Sequence, residues 1–121
     1  MADIQAFATQ FTQEYYSTFD GNRADLAKFY RPASMLTFES DQVLGVENIV
    51  AKLVGLPFQT VKHAVSTCDV QPNNNNGALI LVTGQLITDG ESNPLNFTQV
   101  FQIFSDGTGP FVFNDLFKLV Y

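Results

Sequence analysis

The sequence predicts an α+β domain in which three helices, all in the N-terminal half, pack on an antiparallel sheet made from the rest of the chain. Three observations lead there. Apolar residues recur at helical spacing as far as Leu53 and alternate at strand spacing from Val61 onward. The change of period falls on Gly55 and Pro57, both of which interrupt helices. Beyond that point the strand-like segments are separated by short turns rather than by more helices, the pattern of a meander.

Taken in order, Asp3 can cap a first helix in which Ile4, Phe7, Phe11, Tyr15, Thr18 and Phe19 share a stripe, ending at Asp20-Gly21. A short second helix points Leu26, Phe29 and Tyr30 inward, and Arg31-Pro32 stops it. Residues 35–39 and 42–44 read as two short strands joined at Ser40-Asp41, before a third helix over 46–54. Gly55 is free to take the left-handed conformation that often ends a helix, and Leu56 and Phe58 flank Pro57. Large apolar groups between a helix end and a sheet form either plain core or one wall of a pocket.

Residues 60–71 make a long alternating strand. Pro72, the asparagine run 73–76 and Gly77 make a polar connection. Strands over 78–88, 96–104 and 111–121 follow, separated by Asp89-Gly90 with the loop 91–94 and by the Gly-rich turn 105–110. A sheet covered on one face should be polar on the other, yet Leu79 and Leu81 lie opposite Ile80 and Val82, and Val100 and Phe104 opposite Phe101 and Ile103. That second apolar face predicts a homodimer through the open sheet.

The 121 residues read as one domain, 1–121, able to bury a core without disulfide or metal. A net charge of −6 argues against nucleic acid and anionic membranes, which are bound mainly through Lys and Arg, and suits a basic protein partner. Cys68 is the only cysteine, so no internal disulfide can form and a reducing compartment is expected. The N-terminal residues Met1-Ala2-Asp3 do not open a secretory signal, and the longest apolar run, 78–82, is too short for membrane insertion. The expectation is a soluble intracellular domain.

The inventory for catalysis is thin. With one histidine and one cysteine, no His/Cys metal cluster can be built, and no metal or cofactor is expected. No Gly-rich phosphate loop, nucleophile elbow or His-Glu-x-x-His motif occurs. His63 sits at an alternating strand position. It is either a general base in a cavity, partnered by Asp115 or Tyr15, or a hydrogen-bonded histidine of the core. Glu39, Asp89 and Glu91 lie at strand ends, where carboxylates either ring a cavity mouth or decorate solvated turns.

The segments 11–16 (FTQEYY), 34–39 (SMLTFE), 52–59 (KLVGLPFQ), 84–86 (GQL) and 113–117 (FNDLF) resemble the nuclear transport factor 2 family, and the resemblance runs over essentially the whole chain. It implies a strongly bent antiparallel sheet forming a cone around a hydrophobic cavity. It also implies a homodimeric, non-enzymatic carrier that imports the GTPase Ran in its GDP form and binds Phe-x-Phe-Gly nucleoporin repeats. Such a carrier works in cytoplasm and nucleus, concentrated at the nuclear pore. The positions matching the family's Ran-binding cavity are Phe38, Leu56, Phe58, Val61 and Phe117, and those matching its acidic rim are Glu39, Asp89 and Glu91, where several members have Asp in place of Glu91. The large aromatic of the family's first helix aligns with Ile4; Phe7, one turn later, and Phe101 are the further candidates for nucleoporin contact. The same cone-shaped fold hosts ketosteroid isomerase and scytalone dehydratase, so the alternative is a small-molecule isomerase or dehydratase using His63 and a carboxylate.

Overall fold

The computed structural model describes residues 3–74 and 76–121. The readings of Met1-Ala2 and of Asn75 within the asparagine run lie outside the described residues. Helix α1 (Ile4–Gly21) starts where the Asp3 carboxylate accepts the Ala6 N–H at 3.0 Å. Phe11, Tyr15, Tyr16 and Phe19 form its buried stripe. Asn22 serves two helices: its N–H donates to the Thr18 carbonyl at 2.8 Å, and its side chain accepts the Ala24 N–H at 3.1 Å. The helix it opens, Arg23–Phe29, is a 3₁₀ helix that buries Leu26 and Phe29, with Tyr30 following them inward.

Strands β1 (Met35–Phe38) and β2 (Asp41–Leu44) form a hairpin. Its turn is Glu39-Ser40, one residue earlier than the sequence predicts, with both residues at positive φ (52° and 79°). Paired strands with a two-residue turn of this kind match the twist of the ladder, which outweighs the turn preference of Asp41. Helix α2 (Val46–Val54) then runs into Gly55, whose φ of −81° is ordinary right-handed backbone, not the expected left-handed cap. Glycine relieves crowding there instead: a Cβ would stand 3.1 Å from the Ala51 carbonyl oxygen.

Strands β3 (Val61–Pro72), β4 (Ala78–Thr88), β5 (Leu95–Asp106) and β6 (Gly109–Val120) complete one open six-stranded sheet in the order β2-β1-β6-β5-β4-β3. Each pair is antiparallel except β1 and β6, which run parallel with Leu36 opposite Asp115 and Phe38 opposite Phe117. The predicted all-antiparallel sheet is thus a mixed one. No turn links β1 to β6, so packing rather than a hairpin sets their direction. Bulges between Val65 and Thr67 and between Gln102 and Ile103 bend the long strands into the cone-like form, open rather than closed.

The helices fill the concave face. Phe101, fully buried on β5, meets the edges of Phe11 and Tyr15 at ring separations of 5.3 and 4.9 Å, and Ile80, Val82, Ile103 and Val112 pack around them. Gly84 lies where a Cβ would fall 2.4 Å from the Ala64 carbonyl and 3.1 Å from the Phe97 ring, so only glycine lets the sheet and that ring approach. On the convex face the cross-strand row Leu81, Val100, Leu116 has no cover, with Leu79, Leu81 and Leu116 exposed.

Candidate functional site

A cavity of about 390 Å³ opens between the end of α2 and the ends of β1, β3, β4 and β6. Every cavity position expected from the sequence lines it: Phe38, Leu56, Phe58, Val61 and Phe117. Phe19, His63, Leu86, Leu95 and Leu119 join them. Phe38 and Phe117 face each other across the parallel pair and stack at 4.5 Å with 4° between planes, and Phe97 backs Phe117 at 5.6 Å. One wall is therefore a rigid aromatic stack.

The opposite wall is the loop from Leu56 to Thr60, which two charged side chains hold in place. Arg23 donates to the Leu53 carbonyl at 3.1 Å and to the Phe58 carbonyl at 2.8 Å, and its guanidinium lies 4.8 Å above the Phe58 ring. Asp89, at φ 51° in the turn after β4, accepts the N–H groups of Gln59 and Thr60 through Oδ1 at 2.9 and 3.0 Å. Those N–H donors, Thr60 foremost, hold the Asp89 carboxyl below the usual carboxylate range. Arg23 has no signal in the local sequence. Its targets, the carbonyls of Leu53, Phe58 and, at 3.5 Å, Gln59, lie thirty or more residues away, where no pattern of side chains announces it.

The three carboxylates expected at the rim are placed in different ways. Asp89 and Glu91 both border the cavity. Glu39 stands just beyond Phe38, outside the lining itself. Its N–H donates to the Phe117 carbonyl at 3.1 Å, and its carboxylate accepts the Leu119 N–H, so it extends the parallel ladder past the end of β1. The result is an apolar slot bordered by Asp89 and Glu91, with Glu39 bound to the backbone of Phe117 and Leu119 in its wall. That suits a hydrophobic side chain flanked by cations.

His63 finds a carboxylate, but not the one expected. Its backbone N–H and its Nδ1 contact Asp20, at 2.9 Å to Oδ2 and 2.6 Å to Oδ1. The ring is stacked on Tyr16 at 4.7 Å, with the edges of Phe19 and Phe97 against it. Neither Asp115 nor Tyr15 is its partner. Strand β6 carries Asp115 to a place opposite Leu36 and Phe101, whereas β3 sets His63 opposite Leu86 and beside the last turn of α1.

Asp115 instead anchors a buried chain of polar groups that the sequence reading missed. It accepts from Tyr30 at 2.8 Å, from Gln99 Nε2 at 2.7 Å and more distantly from Tyr15; the Tyr15 and Tyr30 hydroxyls are 2.6 Å apart, and Tyr16 donates to Gln99 Oε1 at 2.7 Å. Burial pushes the Asp115 carboxyl up to about 6, against the pull of its three donors. The same burial raises the three tyrosine hydroxyls well above their ordinary range. A signal existed: Gln99 and Asp115 are polar residues at inward strand positions, flanked by the inward rings of Phe97, Phe101 and Phe117.

Ile4 and Phe7 are partly buried and border a separate groove with Pro72 and Ile103. Phe101, the further candidate, has no surface at all and is excluded from partner contact. Among the described residues no group of three His, Cys, Asp or Glu side chains could hold a metal ion, and no helix is long and apolar enough to cross a membrane.

The sequence profile of the nuclear transport factor 2 (NTF2) domain matches residues 7–119. The chain is 56% identical to nuclear transport factor 2 of Emericella nidulans, covering 100% of this chain and 98% of that protein. It is 49% identical to the protein of the same name from Saccharomyces cerevisiae, covering 98% and 96%. Among solved structures it is similar to nuclear transport factor 2 of Cryptosporidium parvum, with a TM-score of 0.93 at 42% identity, covering 98% of this chain and 96% of that one. A putative scytalone dehydratase from Novosphingobium aromaticivorans shares the fold alone, at a TM-score of 0.80 and 12% identity.

Proposed function

This chain belongs to the nuclear transport factor 2 family, and we propose that it is a nuclear import carrier that takes GDP-bound Ran into its cavity and binds Phe-x-Phe-Gly repeats of nucleoporins. The observation that carries this reading is the slot between the Phe38–Phe117 stack and the Phe58 loop, with Asp89 and Glu91 bordering it and Glu39 next to Phe38. Burying one aromatic side chain there contributes about 2–3 kcal/mol, while exposed ion pairs contribute about 0.2–1 kcal/mol each. The slot thus supplies most of the affinity, and the carboxylates orient the guest and speed its arrival. Asp89 acts at the rim through Oδ2, since Oδ1 is occupied by the loop.

Two copies associate through the convex face, where Leu79, Leu81, Val100 and Leu116 meet their counterparts. Ile4 and Phe7 contact the nucleoporin repeats, and the weak, ring-sized contact lets the carrier exchange rapidly at the nuclear pore while it moves between cytoplasm and nucleus. The chain acts as a carrier and not as an enzyme.

The test is capture of Ran by the immobilised chain in the GDP and GTP forms. Selective retention of the GDP form is expected. Glu39→Lys should abolish it, and Glu39→Gln, which keeps an acceptor for the Leu119 N–H, should only weaken it. Equal capture of both nucleotide forms, or full binding by Glu39→Lys, refutes the assignment.

A further inference from the structure

The connection between β3 and β4 contains the only Asn-Gly pair of the chain, Asn76-Gly77, and the fold dictates both of its members. Asn76 is exposed and sits at a φ of 53°, left-handed backbone in which asparagine is among the few side chains tolerated. Gly77 follows where β5 passes close: a Cβ there would stand 1.7 Å from the Ile103 carbonyl oxygen. Together these requirements build the pair most prone to cyclise through its amide, because the second residue has no side chain to shield its nitrogen.

Asn73 holds that nitrogen. Its Oδ1 accepts the Gly77 N–H at 3.0 Å, and its own backbone N–H donates to the Gly77 carbonyl at 3.3 Å. The Asn73 amide is fixed in turn by donating to Gln102 Oε1 and to the Ile103 carbonyl, both at 2.8 Å. On the other side of the reactive bond, the Asn76 carbonyl accepts the Ser105 hydroxyl at 3.0 Å. The Gly77 nitrogen must lose its proton before it can attack. A proton held in a hydrogen bond is released only when that bond opens, the same requirement that slows amide exchange.

We propose that Asn76 is a deamidation site whose rate is set by Asn73. When the turn opens, the Gly77 nitrogen gives its proton to solvent and bonds to Cγ of Asn76. The bond from Cγ to Nδ2 breaks, and ammonia leaves with a proton regained from solvent, closing a succinimide ring. Water then opens the ring at either carbonyl and leaves Asp or iso-Asp at this position; one water is consumed, one ammonia is released, and nothing is oxidised or reduced. Either product puts a carboxylate into the groove that Asp3, Ile4 and Phe7 border. Iso-Asp also lengthens the main chain by one carbon, which moves the Gly77 N–H away from its acceptor. The conversion needs no protein partner, so it stands apart from the carrier reading.

The experiment incubates the intact folded chain at mildly alkaline pH and follows the peptide carrying Asn76 by tandem mass spectrometry, which separates Asn from its acid products and assigns the position. Cleavage by an aspartate-directed protease tells Asp from iso-Asp. Asn76 is expected to convert before any other asparagine. Asn73→Ala should speed the conversion about tenfold in the folded chain, the factor for losing the bonds that hold Gly77. Guanidinium chloride should speed it at least as much in the wild type. Equal rates in wild type and Asn73→Ala, a wild type no faster when denatured, or a different asparagine converting first overturns the proposal. If Asn73→Ala does not fold, amide exchange at Gly77 in the wild type decides: protection supports the role of Asn73, and exchange as fast as in the denatured chain overturns it.

Discussion

Replacing Asp115 by Asn should flatten a pH dependence that this one carboxyl imposes on the whole fold. Its folded-state pKa is raised from 3.8 to about 6 by burial. The native state therefore holds the proton more tightly than the unfolded chain does. Between the two values the native protein binds more protons, so stability falls as pH rises through that window. The stabilisation is fully present below about pH 4 and gone above about pH 6. A displacement of roughly two pH units corresponds to about 3 kcal/mol, with no allowance for solvent screening, since the group is 1% exposed. Asn fits the same space: turning the Gln99 amide gives the new NH₂ an acceptor, and the Tyr16 hydroxyl can then accept from Gln99. The assay is urea unfolding of wild type and Asp115→Asn at steps from pH 4 to pH 7.5, at one protein concentration throughout. The difference between the two curves should grow with pH and level off by about pH 7. Parallel curves would refute the account of Asp115 as a carboxylate held against its preference.

Other substitutions probe the cavity walls. Arg23→Ala removes donors to the Leu53 and Phe58 carbonyls and the cation above the Phe58 ring, and should cost about 2 kcal/mol in urea unfolding while weakening any guest of the cavity. Asp89→Ala should speed amide hydrogen exchange at Gln59 and Thr60 with little change elsewhere, as read by exchange NMR. Phe117→Ala breaks the stack with Phe38 and the contact with Phe97 and should cost about 3–5 kcal/mol by denaturant titration.

The parts of this fold legible in the sequence are those set by local pattern. The stripe on α1, the break at Gly55-Pro57 and the span of β4 follow from spacing alone, and the resemblance placed Phe38, Phe58 and Phe117 around one cavity. What was not legible depends on residues that meet through space. The parallel pairing of β1 with β6 has no turn to announce it. The choice of Asp20 over Asp115 for His63 depends on which strand α1 ends against. Arg23 acts on carbonyls, which leave no trace in side-chain composition. The resemblance marks Glu39 and Asp89 as rim charges, yet both also hold backbone in place, so their substitution tests architecture and recognition together.

The parallel contact between β1 and β6 has a consequence for how the chain comes into being. The bond from the Leu119 N–H to the Glu39 carboxylate spans 80 residues, nearly the full distance to the C-terminus. Loop closure over that length must precede any reward from the contact, so the pairing is among the last to form. A nascent chain emerging from the ribosome can assemble α1 and its hairpins, but Phe38 has nothing to stack on until Phe117 is synthesised. The cavity therefore depends on β6: a polypeptide cut short before it lacks the Phe117 half of the aromatic wall. Competence to hold a guest arrives only with that strand.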